Sequence, residues 1–262
     1  MTRPVTQIDR RALFTSGAAA ALLAATGVSA TPRRGGRLQA ALSMPLFDQA
    51  VAATVLDNLT EVAADGTLRG DLATSWSSDA RAMRWRFTLR NDVAFHDGTE
   101  FGAEHVRSLP MTVEVIDPVT VDIMLDGPNP NLPYLLAHPG FEIRSDSGAG
   151  TGLYMVQKLE TGRHFIGTRV TDHWKKQAGW FDSIEFVQFS ADDVRAEALR
   201  DGMVDVADIA ALDPLSDPRD FQILPGGQSP THIAATSVAV PLSVGKSWPL
   251  DNLRMAERWW MA

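Results

Sequence analysis

The chain has 262 residues, 45% hydrophobic and 21% charged, which suffices for one large domain or two small ones. Its formal charge of −8, with no dense Lys/Arg run, excludes the clustered basic footprint that a nucleic-acid partner requires. Cysteine is absent, so disulfides, thiolate metal sites, thiol nucleophiles and a lipidated N-terminal Cys are excluded too.

The first 30 residues read as an export signal. Arg10 and Arg11, followed by Leu13 and Phe14, resemble a twin-arginine leader. An apolar run from Ala18 to Ala25 follows, too short to span a bilayer, and small residues at Val28 and Ala30 place cleavage after Ala30. The leader carries net positive charge, so its removal leaves a more acidic chain that is expected to be soluble and periplasmic.

"RLQAAL" predicts a first strand, and "DQAVAATVLDNL" a helix with Val51, Val55, Leu56 and Leu59 on one side. "AADGT" is a turn between extended segments. "MRWRFTLR" alternates throughout: Met83, Trp85, Phe87 and Leu89 face one way and Arg84, Arg86, Thr88 and Arg90 the other, a half-buried strand with a solvated basic face. "TVEVIDPVTVDIML" predicts two strands around an Asp117–Pro118 turn. "NLPYLL" holds one or two helical turns, and "GLYMVQKLETGRHFIGTRV" a hairpin turning at Thr161–Gly162. "SIEFVQF" is a further strand. Ser190, with Asp193 three residues on, opens a helix through Leu199 that Gly202 can stop. From Asp213 the chain is rich in Pro, Gly, Ser and Asp, and order is expected to return only near "NLRMAERWW". Interleaved strands, helices and hairpins predict a mixed α/β domain.

"FHDGTEFGAEHV" gathers His96, Asp97, Glu100, Glu104 and His105. A zinc-protease helix needs two histidines four apart on one face. Here they are nine apart, with Asp97–Gly98 turn chemistry between them, so the stretch reads as strand end, turn and a short helix from Ala103 to Leu109, with Gly102 as N-cap and Pro110 as stop. "GTG" at Gly150–Gly152 lacks the Lys-Ser/Thr of a nucleotide loop and reads as a tight turn. No motif calls for a cofactor or a metal.

Three ordered blocks resemble the extracellular solute-binding proteins of peptide-type ABC transporters. The first runs from Leu72 to Val106, with Leu72, Ala73, Ser75, Trp76, Phe87, Leu89, Arg90, Val93, Phe95, His96, Asp97, Gly98, Ala103, Glu104 and Val106 matching and His105 in place of the usual Asp. The second matches at Gly150, Thr151, Gly152, Tyr154, Gly162 and Trp174, with Leu153 where Pro is usual. The third is "FDSIEFVQFSADDVRAEALRDGMVDVAD".

The resemblance implies a type II periplasmic-binding-protein-like lobe, a mixed α/β sheet with hairpins, spanning residues 31–210. Residues 211–262 are then an abridged crossover, second-lobe remnant and tail. It implies a non-enzymatic binder of a small solute, in the first instance a peptide, delivered to an ABC permease in the inner membrane. Trp76, His96, Asp97, Gly98, Gly150, Thr151, Gly152, Tyr154 and Trp174 are structural landmarks on this reading. Leu42, Ser43 and Met44, just after the first strand, are the first-lobe ligand contacts it suggests. Asp213, Asp217 and Asp220 match no motif, and Trp248, Trp259 and Trp260 lie in the weakly patterned tail. Two other readings stay open: an abridged, non-transporting scaffold of the same family, and an exported metal-dependent hydrolase using His96, Asp97 and His105.

Overall fold

The computed structural model describes residues 35–63, 66–176, 178–210, 221–225 and 232–236. The leader residues Arg10, Arg11 and Ala30, the carboxylates Asp213, Asp217 and Asp220, and the tail tryptophans Trp248, Trp259 and Trp260 lie outside them.

A seven-stranded mixed sheet forms the larger half. Its strands are β1 (Arg37–Leu42), β8 (Tyr154–Glu160), β9 (His164–Arg169), β10 (Ser183–Gln188), β11 (Val206–Ile209), β12 (Gln222–Pro225) and β13 (His232–Ala235). Their spatial order is β12-β13-β11-β1-β10-β9-β8. β1 runs parallel to β10 and β11, and the remaining pairs are antiparallel. The central strand β1 reads "RLQAAL" and is buried from Ala40 to Leu42, as a parallel strand covered on both faces should be.

Helix α1 (Met44–Val55) covers one face: its Phe47 and Ala50 pack with Leu38, Ala40, Leu42, Ile184 and Phe186. Helix α3 (Asp192–Arg200) covers part of the other, where Ala196 and Leu199 meet Ala41, Ala207, Ile209 and Ala234. α1 starts earlier and stops sooner than the apolar spacing predicts. Pro near its start supplies a pre-set φ, and Leu56 is extended at φ −121°, ψ 154°. Its buried residues are therefore Phe47, Ala50 and Thr54, while Leu56 and Leu59 serve the core beyond its end.

The smaller half is a four-stranded antiparallel sheet of β4 (Ala73–Ser78), β5 (Arg84–Leu89), β7 (Thr120–Met124) and β6 (Thr112–Asp117), in that order. A hairpin of β2 (Thr60–Val62) and β3 (Leu68–Gly70), a single helical turn α2 (Leu132–Leu135) and a 3-10 helix (Ala103–Ser108) complete it. β5 alternates as predicted, with Trp85, Phe87 and Leu89 buried. Its opposite face is more than a solvated row. Arg84 and Arg86 donate through Nε at 2.8 and 2.7 Å to the fully buried Asp122 of β7, and Arg90 lies 4.2 Å from the Trp174 ring centre.

Two further expectations are corrected. The stretch after Asp213 is not irregular throughout, since β12 and β13 extend the large sheet past residue 210. α3 has Ala191 rather than Ser190 at its N-cap position, with no side-chain cap, and Asp192 in its first turn accepts hydrogen bonds from Ala210 N–H and Arg195. Its end is as predicted: Gly202 has φ +70° and donates to Leu199 O at 3.1 Å.

Candidate functional site

The carboxyl ends of β1, β10 and β11 lie side by side, and in open α/β sheets that edge is where ligands bind. Two buried side chains, Arg195 and Asp208, help tie the three ends together. Arg195, 4% exposed, donates from Nε to Asp208 O at 2.7 Å and from Nη1 to Phe189 O at 2.6 Å. Asp208, 1% exposed, accepts the Ser43 N–H at 2.6 Å, and Phe189 N–H donates to Leu42 O at 3.0 Å. The start of α1 is thereby held by a carboxylate from β11, which suits the positive end of the helix dipole. Its own N-cap residue, Ser43, makes no side-chain cap.

Of the three residues suggested by the sequence, Leu42 is fully buried in the core beneath α1. Ser43 is half-buried, with its N–H committed to Asp208. Met44, 45% exposed, stands open at the edge together with Phe189. Sequence reasoning missed Arg195 and Asp208. The signal was available in "VADI": a carboxylate inside a short apolar strand requires a buried partner.

His96, Asp97 and His105 of the histidine-rich stretch are hydrogen-bonded within the scaffold. His96 donates from Nε2 to Gly152 O at 2.7 Å, and its backbone N–H donates to Gly150 O at 2.8 Å. His105, buried against Phe95, accepts the Gly102 N–H on Nδ1. Asp97 accepts from Ser145, Ser147 and the Thr99 N–H, and the Ser147 hydroxyl foremost holds its carboxyl well below the usual range. Gly98, at φ +86°, closes that turn. Among the described residues no three His, Asp or Glu converge on a point where a metal ion could sit.

Gly150 and Gly152 are not a tight turn. The turn falls earlier, at Ser145–Gly148, where Gly148 has φ +85°. The two glycines instead run under the last turn of α1: an added Cβ would lie 2.0 Å from Val55 O at Gly150 and 2.4 Å from Thr54 O at Gly152. Thr151, between them, donates to Asp57 at 2.9 Å and accepts from His173 Nε2 at 2.7 Å. Lys175 Nζ then bridges Asp57 and Asp71 at 2.7 and 2.6 Å, both carboxylates being buried. Trp174 stacks on His173 beneath the Arg90 and Lys175 cations. Tyr154 is fully buried, its hydroxyl donating to Phe181 O at 3.0 Å, and burial pushes its pKa up. Trp76 is tilted against Phe87.

A separate cavity of about 280 Å³ lies beside α1, between Ala52 and Ala53 on the helix, Thr60 on β2, and Tyr134 and Glu142.

A mixed sheet sandwiched by helices, with an open strand edge and an accompanying small antiparallel sheet, defines a lobe of the type II periplasmic-binding class. The solved structure of the periplasmic binding protein DppA of Helicobacter pylori, in complex with the peptide STSA, shares this fold: TM-score 0.65 at 18% identity, over 75% of this chain and 52% of that one. Residues 67–237 match the model of the bacterial extracellular solute-binding proteins, family 5, and the chain belongs to that family.

Its relatives are distant. A glutathione-binding protein (GsiB) of Salmonella paratyphi A is 26% identical over 187 residues, which cover 60% of this chain and 36% of the relative. An HTH-type transcriptional regulator (SgrR) of Escherichia coli is 28% identical over 141 residues, 49% of this chain and 25% of the regulator. The chain thus spans about a third or less of the length of these relatives.

Proposed function

We propose that the protein is a solute-capturing component of an ABC importer, exported through a twin-arginine leader cleaved after Ala30. In the periplasm it holds a small solute of the peptide class, for delivery to a permease in the inner membrane. The observation that carries this reading is the open strand edge, which Arg195 and Asp208 hold in one register and where Met44 and Phe189 stay exposed. Such an edge offers a ligand pre-set backbone and two apolar side chains without demanding reorganisation. Family membership and the peptide bound to DppA support the choice of ligand class. No helix among the described residues is long and apolar enough to cross a membrane. No part of the reading requires chemistry on the ligand: His96, Asp97 and His105 all serve the scaffold. Residues 31–210 would form the first lobe.

The test is to export the protein, purify it without denaturant and record its native mass spectrum. A chain beginning at residue 31 and carrying a peptide-sized adduct that Met44→Glu removes is the expected result. A bare chain, still bare after exposure to mixed di- to tetrapeptides, overturns the reading. It would favour a second one, a non-transporting scaffold of the same family. The presence of a transcriptional regulator among the relatives speaks for that alternative.

A further inference from the structure

The cavity beside α1 is distinct from the strand edge: none of Leu42, Ser43, Met44 and Phe189 lines it. At about 280 Å³ it approaches the lower end of the range that encloses small molecules. Its walls carry methyl and ring carbon from Ala52, Ala53, Val62 and Tyr134. Of the uncharged polar lining residues Gln49, Asn58 and Thr60, the last two are spoken for. Thr60 donates its hydroxyl to Pro133 O, and Asn58 donates from Nδ2 to Leu136 O at 2.8 Å and His138 O at 3.0 Å.

Besides Tyr134, the ionisable side chains lining the cavity are Glu61, Glu142 and His138. No lysine or arginine is among its described lining residues, whereas Glu61 and Glu142 are. The two carboxylates differ. Glu61 stands directly opposite Arg69 in the β2–β3 register, so its charge has a neighbouring cation. Glu142 is half-buried and makes no ion pair shorter than 4 Å with any described residue. A half-buried carboxylate beside apolar walls gains most from a cation that brings its own hydrocarbon, because that cation loses little hydration. The ring of Tyr134, 45% exposed, adds an electron-rich face of the kind that attracts ammonium groups.

We propose that this cavity is a binding site for small organic cations, an ammonium group on a compact apolar body, with Glu142 as the charge partner and Tyr134 as the aromatic wall. The site is independent of solute capture at the strand edge. The full chain would be titrated calorimetrically with benzylammonium chloride, and in parallel with benzyl alcohol and sodium benzoate at matched ionic strength. Benzylammonium is expected to bind about tenfold more tightly than the alcohol, the ratio that one charge contact at a half-exposed site supplies, and benzoate not to bind. Glu142→Gln should bring the cation to the alcohol's level, and Ala53→Leu, which fills the cavity, should abolish both while a cooperative melt is kept. Equal affinity for cation and alcohol, cation binding undisturbed by Ala53→Leu, or no binding by a chain that melts cooperatively, each overturns the proposal. Met44→Glu, which tests the strand edge, should leave benzylammonium binding unchanged, so the two sites fail separately.

Discussion

At the scale of single residues, two histidines carry distinct and measurable loads. His96 joins the β5–loop segment to the glycine run through its 2.7 Å bond to Gly152 O. His96→Ala leaves the carbonyl of buried Gly152 without its donor and should lower stability by about 1–3 kcal/mol in urea unfolding. Solute stoichiometry should be unchanged, and lost binding at an unaltered melting temperature would contradict a scaffold role. His173 is satisfied as a neutral ring: Nε2 donates to Thr151 O and Nδ1 accepts the Lys175 N–H. Burial, first among its influences, pushes its pKa down. The unfolded chain therefore binds a proton at a higher pH than the folded one does. The stability this contributes is fully present above the ordinary histidine value of about 6.5 and is lost as pH falls below it toward the folded value. Melting temperatures taken at pH 7.5 and pH 5 should fall with acidification, and His173→Gln should flatten that fall. An equal fall in both proteins would refute the assignment.

At the scale of elements, the patterns that sequence reveals are those a single element satisfies alone. The alternation of "MRWRFTLR" and the Thr161–Gly162 turn, where Gly162 has φ +65°, depend on one strand or one hairpin, and both are found where expected. What the pattern misses depends on a partner far along the chain. The buried face of α1 is Phe47, Ala50 and Thr54 because β1 and β10 lie beneath it, a fact its own spacing does not contain. "GTG" was legible as special and misread as a turn: glycine suits both a left-handed φ and a close approach, and only packing distinguishes them. Likewise the edge held by Arg195 and Asp208 spans residues 43 to 208, so no local motif announces it. The close approach makes a sharp prediction. Gly152→Ala forces a methyl against Thr54 O at 2.4 Å, backbone that cannot swing aside, and should destabilise by about 3 kcal/mol or more. Gly148→Ala, where a Cβ meets nothing within 4 Å, should cost only the strain of its positive φ, about 1 kcal/mol. Comparable losses in the two variants would show that conformation, not packing against α1, selects the glycines.

At the scale of the molecule, the two sheets are expected to unfold as one only if something couples them. They do not share a strand, and their cores are separate clusters, one under α1 and one around Phe87, Ile123 and Leu136. A buried polar link between them is Lys175, which follows the large sheet's β9 and reaches Asp57 and Asp71 beside the smaller core. The Lys175 side chain is 15% exposed and the two carboxylates at most 2%, so the bridge is buried. Thr151 Oγ1 also donates to Asp57 at 2.9 Å and Asn58 N–H to Asp71 at 3.2 Å. Removing one member of such a cluster leaves charge uncompensated in a dry place, a cost of about 3–5 kcal/mol. Lys175→Met should therefore do more than lower the melting temperature. In hydrogen exchange, amides of residues 112–124 in the small sheet should lose protection at lower denaturant than those of 183–188 and 206–209, where the wild type loses them together. Adding Asp71→Asn to Lys175→Met should restore part of the loss, because it removes one of the stranded charges. If Lys175→Met weakens both sheets equally and keeps a single transition, the coupling runs instead through the glycine run packed under α1, and Gly152→Ala becomes the variant that separates them.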